Sequence, residues 1–480
     1  MSSLTFDPNT PTLNYPPGPQ GHWLLGNVRQ FRGDFLRTLV CWAEEYGDAI
    51  RYRFFANYHG YIFLHPEHNK HILQDNNRNY TKLPNPVNAI LVPIVGHGLL
   101  TSDGEFWLRQ RRLAQPAFHR RRIAGFSTTM TGATALMLDR WQDSAQDAGH
   151  VDVLQEMMRL TLEIAGRTLF SVDLRGEADR IGPAFTAINR QFRHFSAHPL
   201  GATLLQMEWL PRTRRFLGNV ARLDEVVHDI IRERRRIRES NGERPAKGED
   251  LLDMLMDARD EETGQGMTDR QLRDEVMTIM LAGHETTANA LTWTLYLLSQ
   301  HPDVRRKVEE EVDEVLGGKV PTFEQIADLR YLNMVLQESM RLYPPAYATS
   351  RTAQEEDTIA GYDVDAGAPI TISPYLTHRH PDFWEDPEKF DPQRFSPEAS
   401  AARPRYAYIP FGGGPRKCIG SNFAMTEATL VLAMLTQRYR MHLLPGHPVK
   451  MEPLITLRPR HGMKMRVQQR ERTPLVESEA

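Results

Sequence analysis

The chain has 480 residues and a formal net charge of −3, with 40% hydrophobic and 25% charged residues. That is the balance of a globular protein long enough to bury a large core, without the basic excess of a nucleic-acid binder. Its two cysteines, Cys41 and Cys418, exclude a disulfide scaffold and any four-cysteine iron–sulfur or structural zinc site, and fit a reducing compartment.

Residues 1–20 hold Pro8, Pro11, Pro16, Pro17 and Pro19 and read as an extended surface segment. No basic stretch followed by an apolar one marks the start, and no run reaches the ~20 apolar residues of a membrane helix. The best candidate, 88–100, is broken by Pro93, Gly96 and Gly98. A cytoplasmic protein is expected. Residues 50–54 and 60–64 predict two short strands across a polar turn. Cys41, beside Trp42 in an amphipathic run, reads as a core residue. The charged, periodic stretch 213–240 predicts a helix, and 241–249, with Gly242, Pro245 and Gly248, a loop.

The longest element starts at Thr268, an N-cap with Gln271 three residues on, as in a capping box. The pattern continues from Asp269 to Gln300 and stops at Pro302, a helix about 48 Å long. Its middle, 276–298, is nearly free of charge, so it must be buried, and Glu285 is the acid it carries there. A second amphipathic helix is predicted over 323–342, ending at Pro344-Pro345. Near the C-terminus, 454–457 and 463–467 predict a hairpin around His461-Gly462. The tail 471–480 looks frayed. The fold class is mainly α with a minor β part, in one domain over 21–470.

The segment Phe411-Gly412-Gly413-Gly414-Pro415-Arg416-Lys417-Cys418-Ile419-Gly420 is the most informative. Successive glycines let the backbone bend tightly and approach a flat ligand. Cys418 lies just before the helical run 423–439, where backbone N–H groups, the helix dipole, Arg416 and Lys417 favour a thiolate. Such a thiolate could ligate haem iron, act as a nucleophile or sense redox state. Ala282 and Gly283, in the middle of the long helix, would let a planar cofactor come close. A threonine hydroxyl just after them can take the i−4 carbonyl and loosen the helix ladder. A zinc-protease reading of His284-Glu285 fails, because Ala288 stands where a second histidine would be needed.

Phe411, Gly414, Arg416, Cys418 and Gly420 match F-x-x-G-x-R-x-C-x-G, and in this the chain resembles the cytochrome P450 family. Glu338 and Arg341 match the family's E-x-x-R, and Pro392-Gln393-Arg394-Phe395, with Trp384 and Asp386-Pro387, its meander. Trp107 and Arg111 match its W-x-x-x-R. The motifs occur in family order, and the likeness runs from about Pro16 to Val467. It implies a triangular prism with haem b between the long central helix and the cysteine-loop helix. It also implies Cys418 as axial iron ligand with Phe411 beside it. Ala282, Gly283, Glu285 and Thr286 would form an oxygen-binding groove in which an acid–alcohol pair relays protons. Trp107, Arg111, Arg351 and Arg416 would face the haem propionates, and Glu338, Arg341 and Arg394 would shape the cysteine loop.

The implied activity is insertion of one oxygen atom from dioxygen into an apolar substrate. The two electrons would come from a separate ferredoxin or flavodoxin with its reductase, since no G-x-G-x-x-G follows a strand here. An acidic donor is expected on Lys417, Arg109, Arg112, Arg120, Arg121 and Arg122. By family position the substrate pocket takes in Val87, Ile90, Leu91, Ala346, Tyr347, Leu454 and Ile455, an apolar lining suited to a lipid-like or terpenoid molecule. The spacing resembles bacterial fatty-acid hydroxylases more than short camphor-type enzymes, yet 58–63 lacks an arginine to anchor a carboxylate. The rivals are a haem-thiolate peroxygenase or isomerase, against which the Glu285–Thr286 pair argues, and a non-catalytic haem sensor, for which no output module is seen.

Overall fold

The 3.6-residue apolar repeat becomes, in the computed structural model, a stack of long helices: Arg120–Gln146, Val153–Leu169, Ala178–Ser196, Pro211–Ser240, Asp269–Gln300 and Ser421–Arg438. The structure describes residues 13–55, 58–146, 149–196, 198, 200–240, 250–259 and 264–470. The expected loop at 241–249 and the tail at 471–480 lie outside those residues, as do the first twelve. None of the described helices is long and apolar enough to cross a membrane.

The central helix, Asp269–Gln300, has the bounds its sequence predicted. Thr268 accepts from the Gln271 amide, and the Gln271 side chain accepts from the Thr268 amide. Residues 274–295 are buried in succession, with three exceptions: Ala282, Gly283 and Thr286. Those three form one stripe at i, i+1 and i+4, so one strip of an otherwise enclosed helix borders open space. The helix Val153–Leu169 packs along it, and Thr161 donates its hydroxyl to the His284 carbonyl at 2.9 Å. On another side it meets Ser421–Arg438, itself buried almost all round.

The β part is small. A five-stranded sheet has the order Ala49–Phe55, Tyr58–Phe63, Pro369–Ile372, Thr349–Ala353, Tyr80–Thr81. Its second and third strands run parallel and the other pairs antiparallel. The extended segment before it is pinned where the Pro17 carbonyl accepts from Arg51.

Three expectations are corrected. The C-terminal hairpin around His461-Gly462 does not form. Met451–Pro453 pairs instead with Leu457–Pro459, and Lys464–Gln469 lies between His150–Asp152 and Tyr439–Leu443. Gly462 has φ +70°, and a Cβ there would fall 2.2 Å from the Asp152 carboxylate, so its turn feeds the chain to that distant strand. Alternation of buried Met465 and Val467 with exposed neighbours is satisfied equally by either partner, which is why pattern alone misled. The helix expected over 323–342 is split into a short turn, Glu324–Ala327, and a helix, Arg330–Leu342. Glu311 from a neighbouring helix accepts from the Tyr331 and Leu332 amides, satisfying a new N-terminus that no local residue caps. Cys41 is exposed; its helix buries Leu36, Leu39 and Trp42 and turns the cysteine outward.

Replacing Thr268 by Ala removes one bond of the capping box and should lower stability by about 1 kcal/mol. That would be read as a lower urea midpoint at unchanged slope.

Candidate functional site

The cysteine loop is shaped by backbone contacts only glycine allows. Gly414 has φ +63°, and a Cβ on it would lie 1.7 Å from the Leu73 carbonyl oxygen. Gly413 sits so close to the Tyr406 ring that a Cβ would come within 2.5 Å. The Cys418 amide closes the loop by donating to the Phe411 carbonyl at 2.9 Å. Gly420 then starts the helix Ser421–Arg438. Cys418 keeps accessible surface although it lies deep in the fold, so its sulfur borders an interior cleft. A preformed thiolate was expected. Burial instead pushes the thiol up, and the Gly420 amide, Arg111 and Lys417 pull it only partly back.

On the central helix, Thr286 donates its hydroxyl to the Ala282 carbonyl at 2.7 Å and Thr287 donates to Gly283 at 3.3 Å. Glu285 is 1% exposed. It accepts from Asn189 Nδ2 at 2.8 Å, and Arg458 lies 3.9 Å away. Burial raises its carboxyl to about 7, against the opposing pull of Arg458, Thr456 and Asn189.

A third group gathers cations. Arg416 stacks on Trp107, 4.3 Å from the ring centroid. It donates to the Ser102 carbonyl at 2.6 Å and pairs with Asp103. Lys82 and Arg351 are both buried. Burial and its two arginine neighbours drive Lys82 well below the usual lysine range. Burial, then Arg416, brings Arg351 to about 10. Among the described residues, Asp103 is the carboxylate acting on all three. Two buried arginines and a buried lysine facing this carboxylate give the place an excess of basic groups, and unpaired charge is costly there. The carboxylates of a haem match that excess in sign. Arg111, half-buried, acts on both Cys418 and Arg416. The structure gathers Trp107, Arg111, Arg351 and Arg416, which the sequence singled out, with Lys82 and Asp103, which it did not, because no motif flags a buried lysine or the acid beside it.

Behind the loop, Glu338 and Arg341 are fully buried and paired at 2.6 and 2.9 Å. Arg341 also donates to the carbonyls of His378, Pro387 and Lys389. Arg394 lies 3.6 Å from Glu338 and donates to the Asp386 carbonyl. The His378 ring accepts from the Ile409 amide at 2.8 Å, two residues before Phe411.

The apolar candidates are more dispersed. Ile90 and Leu454 are each 2% exposed and belong to the core. Val87, Leu91, Ala346 and Ile455 keep exposed surface. Tyr347 packs on Phe35 and donates its hydroxyl to the Leu454 carbonyl at 2.7 Å, which makes it a pin between two turns.

The family described as Cytochrome P450 matches residues 16–465. The chain is 38% identical to cyclooctatin synthase of Streptomyces melanosporofaciens over 83% of this chain and 84% of that protein. It is 33% identical to cyclooctat-9-en-7-ol 5-monooxygenase of the same organism, over 92% and 94%. It is 33% identical to the chloroplastic carotene epsilon-monooxygenase of Arabidopsis thaliana, over 91% and 83%.

Two outcomes test the geometry. Arg341→Ala removes the two-bond cation of a fully buried Glu338 and should cost about 3–5 kcal/mol, seen as a lowered melting temperature. Cys418→Ser should abolish the thiolate-type absorption band of the reduced, carbon monoxide-bound protein, and Cys41→Ser should leave it intact. Loss of that band in Cys41→Ser alone would overturn the assignment.

Proposed function

This chain belongs to the cytochrome P450 family, a haem-binding family of monooxygenases, and from that premise we propose that it oxidises terpenoid-like apolar substrates with electrons from a separate protein. The observation that carries the reading is the accessible stripe of Ala282, Gly283 and Thr286 on an otherwise buried helix. It sets the Thr286 hydroxyl beside two small residues that leave room for a flat group, with the buried Glu285 next to it in the chain.

Bound haem would supply the iron at which dioxygen is reduced and split. The residues of the chain do the rest. Cys418 would donate its thiolate to the metal, pushing electron density onto it; ligation, rather than the protein field, would keep that sulfur ionised. Lys82, Arg351, Arg416 and Arg111 would bind the carboxylates and fix the plane of the group. Thr286, already bonded to the Ala282 carbonyl, would hold a proton at its hydroxyl oxygen. Glu285 would replenish it. With its carboxyl raised to about 7, Glu285 carries a proton below that pH and loses it above, so coupling should decline as pH rises through that value.

The substrate class rests on two supports. Relatives named for cyclooctat-9-en-7-ol and carotene work on terpenoid skeletons, and the side chains at Val87, Leu91 and Ile455 are apolar and partly accessible. For the electron donor, Arg112, Arg120, Arg121, Arg122 and Lys417 are exposed, which suits an acidic ferredoxin or flavodoxin in the cytoplasm.

Thr286→Ala should keep substrate binding and divert electrons to peroxide, since assisted proton transfer is worth roughly 10²–10⁴-fold. Unchanged product per NADPH would refute the relay. Reversing Arg120, Arg121 and Arg122 to Glu should slow reduction by an acidic ferredoxin and flatten its dependence on salt. An unaffected rate would remove the docking reading.

A further inference from the structure

Four polar atoms around one point of the central helix are buried without a hydrogen-bond partner: Glu285 Oε2, Asn189 Oδ1, Asn289 Oδ1 and Arg458 Nε. They come from three elements, the helix Ala178–Ser196, the central helix and the strand Leu457–Pro459. Their remaining atoms are joined. Asn189 Nδ2 donates to Glu285 Oε1 at 2.8 Å, and Arg458 Nη1 lies 3.9 Å from the same oxygen. Asn289 Nδ2 donates to Thr456 Oγ1 at 3.0 Å, and Thr456 favours the Glu285 carboxylate.

The electrostatics of this group are unusually simple. Arg458 is the charged group acting on Glu285. The adjoining His284 is buried and held neutral, its imidazole lowered to about 4. Asn189, Asn289 and Thr456 carry no charge. Burial favours the neutral acid, and Arg458 with the Asn189 amide favours the carboxylate.

We propose that Asn189 and Arg458 are positioning residues for Glu285: they fix where its carboxyl sits and govern how readily it takes up a proton for delivery toward Thr286. The proposal rests on the relay assigned to Glu285 and Thr286 above. Each proton leaving the acid leaves a carboxylate behind, which Arg458 stabilises, and a proton from solvent restores the acid. A carboxylate without the arginine would be too costly in this setting, and an acid that cannot ionise cannot pass a proton on.

The experiment uses the haem-loaded protein and reads the carboxyl directly. The infrared C=O stretch of a protonated buried carboxyl is followed against pH and assigned to Glu285 by its loss in Glu285→Gln. In Arg458→Met its titration midpoint should rise by about one pH unit, in keeping with removal of an opposite charge at that range. Asn189→Ala should raise it by less, and Arg458→Lys, which keeps the cation, should return it toward the parent value. An unchanged midpoint in Arg458→Met overturns the proposal. The relay is judged separately, by peroxide released per NADPH in Glu285→Gln. If the midpoint moves as expected but Glu285→Gln couples normally, the relay reading fails while the positioning of the carboxyl stands.

Discussion

Arg341 carries five N–H donors into a place that water does not reach, and much of the fold around the cysteine is arranged to meet them. Glu338 takes two of its bonds from one turn away on the same helix. The carbonyls of His378, Pro387 and Lys389 take others. Those three carbonyls belong to an irregular stretch that has no ladder of its own, so the guanidinium serves as the framework on which the stretch is hung. His378 passes the constraint on, because its ring accepts the Ile409 amide. Arg394 and Asp391 complete the oxygen side of Glu338. The polar contacts behind the loop thus reach Ile409, and the glycines after it permit the path to Cys418.

The cation group by Trp107 works on the opposite principle. Around Arg341 the guanidinium's bonds are all taken inside the protein, by Glu338 and three carbonyls. Around Lys82, Arg351 and Arg416 the described residues supply one shared carboxylate, Asp103. On the proposed reading the two arrangements would divide the labour, one holding shape and the other meeting an anionic ligand. Cys418 belongs with the second, since burial opposes its ionisation until a cation is at hand.

What could be read from sequence follows the same division. The central helix was legible to the residue because Thr268, Gln271 and Pro302 are local signals acting within a turn. Cys418, Glu338 and Arg341 were legible because their motifs are short and their spacing reflects a helix or a tight loop. Lys82 and Asn189 were not, since each acquires its role from residues far away in the chain, Arg416 in one case and Glu285 in the other. The C-terminal strands failed for a related reason. Period-two alternation fixes which face of Lys464–Gln469 is buried but is silent about its neighbours, and the neighbours proved to be His150–Asp152 and Tyr439–Leu443. Cys41 failed because adjacency to a core tryptophan says nothing of the 100° that separates successive residues on a helix.

The basic groups near Asp103 also bear on how the molecule matures. Burial and mutual repulsion oppose the charged forms of Lys82, Arg351 and Arg416 in the folded chain, so an anionic ligand that favoured those forms would stabilise the folded chain alone. Any carboxylate-bearing group that binds only the folded form then shifts the equilibrium by mass action, in proportion to the logarithm of its concentration over its dissociation constant. Haem would be in that sense a late part of the folding reaction. A cell that makes polypeptide faster than porphyrin would accumulate chains held in the less stable state, exposed longest to proteases and to self-association.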